Sequence, residues 1–201
     1  MKNLQDSVLV FLHIKKTGGI SLQKILAKQY GKRFYGGHTH SALRKIAAKN
    51  SVEKNNISSI PNGSCICKHW TYQEFDSIKD RANFITIVRD PLDRIVSHYN
   101  FYLMHYPKGQ SFAEYVEDPK NINIYSRFLP KNLKQLSEIY FFDSLQESIN
   151  KSRILSEKDL SKTNKTRYIY TPSSEELDKF CIINQIDMEL YDRIKMWVMQ
   201  L

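Results

Sequence analysis

The stretch VLVFLHIKKTGGISL, residues 8–22, joins an apolar run to a turn rich in lysine and glycine and then to the start of a helix. We predict a buried strand over residues 8–13 and a helix over residues 20–30, with the turn between them. Gly18 and Gly19 let the backbone turn tightly and approach a ligand without a Cβ in the way. A strand that ends in such a turn and then enters a helix is a common way to hold a phosphate.

This turn carries several groups that attract an anion. The main-chain N–H groups of residues 16–21 would lie at the positive end of the predicted helix. Thr17 and Ser21 add hydroxyl donors, and Lys16 adds a mobile positive charge. The lysine precedes the glycines, whereas a Walker A sequence places it after the second glycine, next to the hydroxyl that binds Mg²⁺. The order therefore suggests transfer from a nucleotide without a nucleotide–metal complex.

A second segment, FITIVRDPLDRIVSHYNFY at residues 84–102, has the same order of strand, turn and helix. Asp90 is placed as an N-cap, and Pro91 occupies the first helical position. Arg89 falls at the carboxyl end of the strand, where open α/β sheets bind ligands. Ser97 is expected on the side of the helix away from the core. On their own, these two residues fit an ion pair and a solvated serine as well as they fit a binding site.

Strands alternate with helices along the chain, which predicts an α/β fold with a mostly parallel central sheet flanked by helices. At 201 residues the chain has the length of one compact domain, and we treat residues 1–201 as a single domain. Residues 105–136, rich in Tyr, Lys and Asn, are a candidate helical insertion for substrate contacts. The other predicted strands are residues 65–69, 83–88 and 137–142, and the other predicted helices are residues 41–49, residues 144–152 and two helices near the C-terminus.

The formal net charge of +9 indicates an anionic partner, which nucleic acid, an anionic polysaccharide, an acidic membrane surface or a phosphorylated nucleotide would satisfy. No apolar run approaches the roughly 20 residues that span a bilayer. An odd number of cysteines and the lack of a cleavable leader predict a cytoplasmic protein. Cys65, Cys67 and His69 alternate and would share one face of a strand. Because no other Cys/His cluster supplies a fourth ligand, no metal site is predicted.

Together, the two turn segments resemble the sulfotransferases that use 3′-phosphoadenosine 5′-phosphosulfate (PAPS), in particular the group with the heparan and uronyl sulfotransferases and small bacterial relatives. In that family H-I-P-K-T-G-G-T-S cradles the 5′-phosphosulfate, and V-R-D-P-x-x-R-x-x-S-x-Y carries the arginine and serine that bind the 3′-phosphate. Here Arg89 and Ser97 have the matching eight-residue separation. The chain departs from the family at Lys15, where proline is usual, and at Ile20, where threonine is usual. The similarity spans roughly residues 8 to 103, and a C-terminal D-x-x-L-Y pattern fits more loosely.

The resemblance implies a P-loop-NTPase-like sulfotransferase fold and an in-line transfer of the sulfuryl group from PAPS to an acceptor hydroxyl. The acceptor would be a carbohydrate, such as a cell-surface polysaccharide or a glycolipid. Lys16 would stabilise the departing bridge oxygen, and His69, just after the second strand, would be the base. His38 and His40 are the alternatives to His69. The donor-binding residues implied are Lys16, Thr17, Gly18, Gly19, Ile20, Ser21, Arg89 and Ser97.

Two other functions remain open on the sequence alone. A P-loop-like small-molecule kinase would need Mg²⁺ and a Walker lysine. A basic nucleic-acid-binding module without catalysis would bind with a steep salt dependence and would not prefer adenosine 3′,5′-bisphosphate over AMP. The sulfotransferase interpretation implies a nucleotide donor and a carbohydrate acceptor as partners, with no nucleic acid and no transmembrane segment, and leaves room for peripheral contact with a membrane.

Overall fold

A five-stranded sheet lies at the centre of the protein in a computed structural model, which describes residues 2–36, 52–157, 160 and 169–200. Its strands are β1 (Val8–Leu12), β2 (Phe34–Tyr35), β3 (Cys65–Lys68), β4 (Ala82–Val88) and β5 (Leu136–Phe141). The strand order is β2-β3-β1-β4-β5, and every neighbouring pair is parallel. The predicted α/β fold with a parallel central sheet is confirmed, and only the two-residue strand β2 was not predicted.

Seven α-helices lie in the described part of the chain. They are α1 (Gly19–Tyr30), α2 (Pro91–His105), α3 (Phe112–Glu117), α4 (Ile124–Phe128), α5 (Leu145–Lys151), α6 (Ser174–Ile183) and α7 (Gln185–Met199). The two predicted C-terminal helices are therefore present, whereas the helix predicted over residues 41–49 lies outside the described residues. Within the described residues, no helix combines the length and the apolar character that crossing a membrane requires.

Strand β1 runs through the middle of the core, and all five of its side chains are buried. Such a continuous apolar run is typical of a strand whose sheet is covered on both faces. On one face Leu9 and Phe11 pack with side chains of α1 and α5, and on the other Val8, Val10 and Leu12 pack with side chains of α4 and α7. The carboxyl ends of β1, β3 and β4 therefore meet at one edge of a sheet that is fixed from both sides.

Helix α2 is buried on two faces, and this corrects the expectation for Ser97. One face is apolar, with Ile95 and Tyr99 in a third apolar cluster. We expected Ser97 to lie away from the core, but its side chain is only 3% exposed. It belongs to a second, polar face with Arg94 and Asn100, which are also buried. This face is covered by parts of the chain distant in sequence, which a helical pattern alone does not reveal.

The segment at residues 105–136 packs into the body of the protein. It contains α3 and α4 and then leads into β5. The side chains of Phe112, Tyr115 and Tyr125 are buried, and Tyr125 belongs to the main apolar cluster beside the sheet. The segment is helical in part and covers the sheet and the polar face of α2, and its contacts with a substrate stay a prediction.

Candidate active site

The two glycines after β1 are needed for two different reasons. Gly18, the N-cap of α1, has a φ of +84°, a left-handed conformation that strains other residues. A Cβ on Gly18 would also lie 2.8 Å from the ring of Phe142. Gly19 has an ordinary backbone, but a Cβ there would overlap the Nε2 atom of His13. The turn is therefore packed tightly between an aromatic ring and an imidazole.

The rest of the turn is held by its own hydrogen bonds. The hydroxyl of Thr17 donates to the carbonyl of Ile14 over 2.8 Å, and the N–H of Ser21 donates to the carbonyl of Gly18 over 3.1 Å. Thr17 is fully buried, so its side chain shapes the turn and leaves its main-chain N–H as the group it can offer to an anion. Lys16 has a φ of +68°, and such strain in a residue other than glycine is often found at functional sites.

Lys16 and Arg89 meet at the carboxyl edge of the sheet. The Nη1 atom of Arg89 lies 3.4 Å from the carbonyl oxygen of Lys16, and its Cζ lies 4.3 Å from the centre of the Phe142 ring. Within the described residues, the buried Nε of Arg89 has no hydrogen-bond partner. The Nζ of Lys16 lies 4.6 Å from the centre of the Phe101 ring. Burial and the nearby charge of Arg89 lower the pKa of Lys16.

Two further basic side chains of α2 lie close to this edge. Arg94 is 2% exposed and stacks over the ring of Tyr125, with Cζ 5.9 Å from the ring centre. The Nδ1 atom of His98 lies 2.9 Å from the hydroxyl of Tyr115. Burial, and then the positive charge of Arg94 and of the lysines in the turn, lower the pKa of His98 to about 3. The positive charge of Arg94 thus adds to that of the two turns, which suits a ligand with several negative charges, whereas His98 is uncharged at neutral pH.

His98 was given no role in the sequence analysis. It follows Ser97 directly, but a histidine inside a helix carries no local signal of what it faces. Only the packing of α2 against the glycine turn brings His98 near Lys15 and Lys16, whose charges help to lower its pKa.

His69 lies beside the glycine turn with one ring nitrogen held by the protein. Its Nδ1 is 2.6 Å from the carbonyl oxygen of His13, and the centres of the two imidazole rings are 4.2 Å apart. His69 as a residue is exposed to solvent, although its ring packs against that of His13. Packing of its ring against the protein lowers the pKa of His69, a hydrogen bond to the carbonyl opposes this, and the charge of Lys15 lowers it further. At neutral pH the ring is therefore uncharged and able to accept a proton.

His13 is the buried support of this pair. Its Nδ1 is 2.7 Å from the Nε2 of Gln23, and its ring stacks on that of Phe11. Burial lowers the pKa of His13 well below the ordinary histidine value, with the charges of His69 and Lys15 acting in the same direction. Because His13 is uncharged and held in place, it supports both the first turn of α1 and the imidazole of His69.

Of the other sequence-predicted residues, Ile20 is partly buried and Ser21 is buried in the first turn of α1. His38 and His40, the alternatives to His69, lie outside the described residues. Cys65 and Cys67 are buried in the apolar cluster that faces α1, and burial raises the pKa of both thiols. The described residues include no group of three or more His, Cys, Asp or Glu side chains that could hold a metal ion.

Comparison with known proteins places the chain in a family. A crystal structure of a sulfotransferase from Alicyclobacillus acidocaldarius aligns over 90% of this chain and 94% of its own, at 12% sequence identity and a TM-score of 0.46. A structure from the PezAT chromosomal toxin–antitoxin system of Streptococcus pneumoniae aligns over 94% of this chain and 88% of its own, at 12% identity and a TM-score of 0.36. No curated protein matches. The model of the Sulfotransferase family matches residues 4–132, more than half of the chain and both of its turn segments, and the chain therefore belongs to the sulfotransferase family.

Proposed function

We propose that this protein transfers the sulfuryl group of PAPS to an acceptor hydroxyl without a metal ion. Family membership makes the protein a sulfuryl-transferring enzyme. The choice of donor rests on one observation, which is the contact of the Lys16 main chain with the guanidinium of Arg89. This contact joins a helix N-terminus that can bind one phosphate to a partly unsatisfied arginine that can bind another.

In this proposal the two turns hold opposite ends of the donor. The main-chain N–H groups of residues 16–20 and the charge of Lys16 bind the 5′-phosphosulfate, since the N–H of Ser21 already donates to the carbonyl of Gly18. Arg89 and Ser97 bind the 3′-phosphate. The buried Nε of Arg89 supports this assignment, because a buried donor without a partner is costly unless a ligand satisfies it.

The chemistry requires a base and a charge that stabilises the leaving group. When the donor is bound, a new bond forms between the acceptor oxygen and sulfur while the bond between sulfur and the bridging oxygen breaks. We assign the acceptor proton to Nε2 of His69, whose ring is uncharged at neutral pH. The ammonium group of Lys16 stabilises the negative charge left on the bridging oxygen.

The proposed acceptor is a carbohydrate hydroxyl, on a polysaccharide or a glycolipid. The exposed ring of Phe101 supports this choice, because it lies beside Lys16 and offers an apolar face on which a sugar ring can pack. Tyr106 and Met104 extend the exposed apolar surface along the end of α2. The cytoplasm is the proposed compartment, on the basis of the odd number of cysteines.

A thermal-shift comparison of three nucleotides tests the proposed donor. A ligand that binds the native state raises the melting temperature, and the rise grows with the logarithm of the ligand concentration relative to its Kd. Adenosine 3′,5′-bisphosphate should stabilise the protein at concentrations where AMP, and ATP with Mg²⁺, have little effect. Arg89→Ala should remove the preference for the 3′-phosphate. A stronger effect of ATP with Mg²⁺ would favour a kinase, and equal effects of the bisphosphate and AMP would refute the proposed donor.

A further inference from the structure

The main chain of Arg89 lies at a junction where regular hydrogen bonding stops. The ladder between β4 and β5 ends at the pair Val88 and Phe141, and α2 is capped by Asp90. The N–H and C=O groups of Arg89 therefore need partners outside the sheet and the helix. A single side chain provides both: the hydroxyl of Tyr125 accepts from the N–H over 3.1 Å and donates to the C=O over 2.5 Å.

The hydroxyl of Tyr125 is itself held firmly in place. Tyr125 is fully buried, and its ring lies under the guanidinium of Arg94. At the start of α4, the carboxylate of Asp187 accepts from the N–H of Tyr125 over 2.7 Å and from the N–H of Ser126 over 2.9 Å. Burial raises the pKa of Tyr125 well above its ordinary value, so the phenol remains a hydrogen-bond donor throughout the working pH range.

The position of the Arg89 side chain depends on this main-chain support. Its guanidinium is placed against the carbonyl of Lys16 and the ring of Phe142, both parts of the glycine-turn side of the site. Without the Tyr125 hydroxyl, two main-chain groups of Arg89 would be left without their partner, and the junction would shift to satisfy them. A small shift at the Cα of a long side chain moves its charged end out of register with a bound phosphate.

We propose that Tyr125 is a positioning residue that acts through Arg89 to fix the 3′-phosphate end of the donor site. This inference rests on the proposed function, in which Arg89 binds that phosphate. It gives the segment between α2 and β5 a second role, on the donor side of the site. It also gives a role to Asp187, the first residue of the D-x-x-L-Y pattern near the C-terminus, which fixes the start of the helix that carries Tyr125.

The test compares Tyr125→Phe, Arg89→Ala and the double variant by titration calorimetry with adenosine 3′,5′-bisphosphate and with AMP. Tyr125→Phe keeps the ring and removes only the hydroxyl. We expect it to weaken binding of the bisphosphate about tenfold or more and to leave binding of AMP nearly unchanged. In the Arg89→Ala background, Tyr125→Phe should cause no further loss, because the two residues act as one unit.

Tyr140→Phe is the matched control. Tyr140 is also buried, and its hydroxyl contacts the side chains of Glu138 and Ser152. The Tyr140→Phe variant should lose stability, as Tyr125→Phe does, but should keep the wild-type ratio of bisphosphate to AMP affinity. If both tyrosine variants weakened the two nucleotides equally, the role of Tyr125 would be structural only and the inference would be wrong.

The outcomes for the wild-type protein separate the two proposals. A wild-type protein without preference for the 3′-phosphate would refute the proposed donor, whatever the variants do. A wild-type preference that persists in Tyr125→Phe would refute the positioning role alone. Asp187→Asn provides a second variant that keeps the Tyr125 hydroxyl and weakens its support. It should lower the same affinity ratio by a smaller factor, and an unchanged ratio would count against the inference even if Tyr125→Phe failed to fold.

Discussion

His69 donates a hydrogen bond from Nδ1 to the main-chain carbonyl of His13, with the two atoms 2.6 Å apart. A carbonyl oxygen only accepts, so the proton of the neutral ring lies on Nδ1 and the lone pair lies on Nε2. The carbonyl also fixes the direction in which Nε2 points. A histidine oriented through one nitrogen, with the lone pair on the other, has the arrangement of a general base.

The first prediction concerns the base. His69→Ala should lower turnover by a factor of about 10²–10⁴, because the acceptor hydroxyl loses its proton acceptor. Binding of adenosine 3′,5′-bisphosphate should be retained, because that ligand occupies the donor site and takes no part in the proton transfer. Turnover with PAPS and binding by calorimetry measure the two effects. His105 also has Nδ1 near a main-chain carbonyl, but within α2, and His105→Ala is the control. Its kcat should stay near the wild-type value even if the KM for the acceptor changes, because His105 packs against Phe101. Near-normal turnover in His69→Ala would transfer the role of base to His38 or His40.

The pH dependence of turnover follows from the same imidazole. The base works only when deprotonated, and the pKa of His69 lies below the ordinary value, chiefly because its ring is packed against the protein. As the pH falls from neutral, turnover should stay constant down to about pH 6.5. Below that pH it should decline as His69 becomes protonated. The measurement is a profile of kcat against pH, with the residual activity of His69→Ala lacking this decline. A decline that begins above pH 7 would contradict the assignment.

Stability should also fall in acid, because buried histidines resist protonation. The pKa of His98 is about 3 in the folded protein and about 6.5 when unfolded. Between these values the unfolded chain binds more protons, so stability is complete above about pH 6.5 and is lost as the pH falls through this window. Urea midpoints at several pH values should show a shallower loss for His98→Gln than for the wild type. Tyr115→Phe removes the hydroxyl that contacts His98 but keeps the histidine, so its stability should fall with pH as steeply as that of the wild type. Equal slopes of stability against pH in all three proteins would refute this account.

The parts of the site that sequence could predict are those with local signals. Gly18 stands out because a left-handed turn before a helix favours glycine, and the Asp90 cap is followed directly by proline. Strand β1 was recognisable because a strand covered on both faces is apolar at every position. The two-residue strand β2 is too short to show any periodicity, so it was missed.

The contacts that were missed join residues far apart in the chain. The burial of Ser97 was not foreseen because a helical pattern shows only apolar faces. The polar face of α2 is covered instead by long-range contacts, such as those of Asn100 with the main chain of Ile169 and Tyr170. The bonds between Tyr125 and Arg89 likewise span 36 residues. No pattern within either segment encodes such a pair, because it depends on how the helices pack.

Lys16 and Lys15 provide a comparison of two adjacent charges. Lys16 is partly buried at the meeting point of the two turns, whereas Lys15 is exposed. We expect Lys16→Ala to lower kcat by about 10²–10³-fold, because the charge on the leaving oxygen loses its stabilising ammonium group. Lys15→Ala should reduce kcat only a few-fold, since an exposed charge is screened by solvent. Steady-state kinetics with PAPS measures both, and a larger loss for Lys15→Ala would reverse the two roles.

Gly19→Ala tests how tightly the glycine turn is packed. A methyl group at this position would overlap Nε2 of His13, and that ring cannot move away easily because it is buried and stacked between Phe11 and His69. We expect a loss of about 1–3 kcal/mol in the free energy of unfolding, which urea denaturation measures. In a His13→Ala background the same change should cost much less, because the obstructing ring is gone. Gly31→Ala is the control: its φ is +50° and no described residue lies within 4 Å of the added Cβ, so only backbone strain of about 1–3 kcal/mol is expected, with or without His13. An equal cost of Gly19→Ala in both backgrounds would show that the imidazole does not limit this turn.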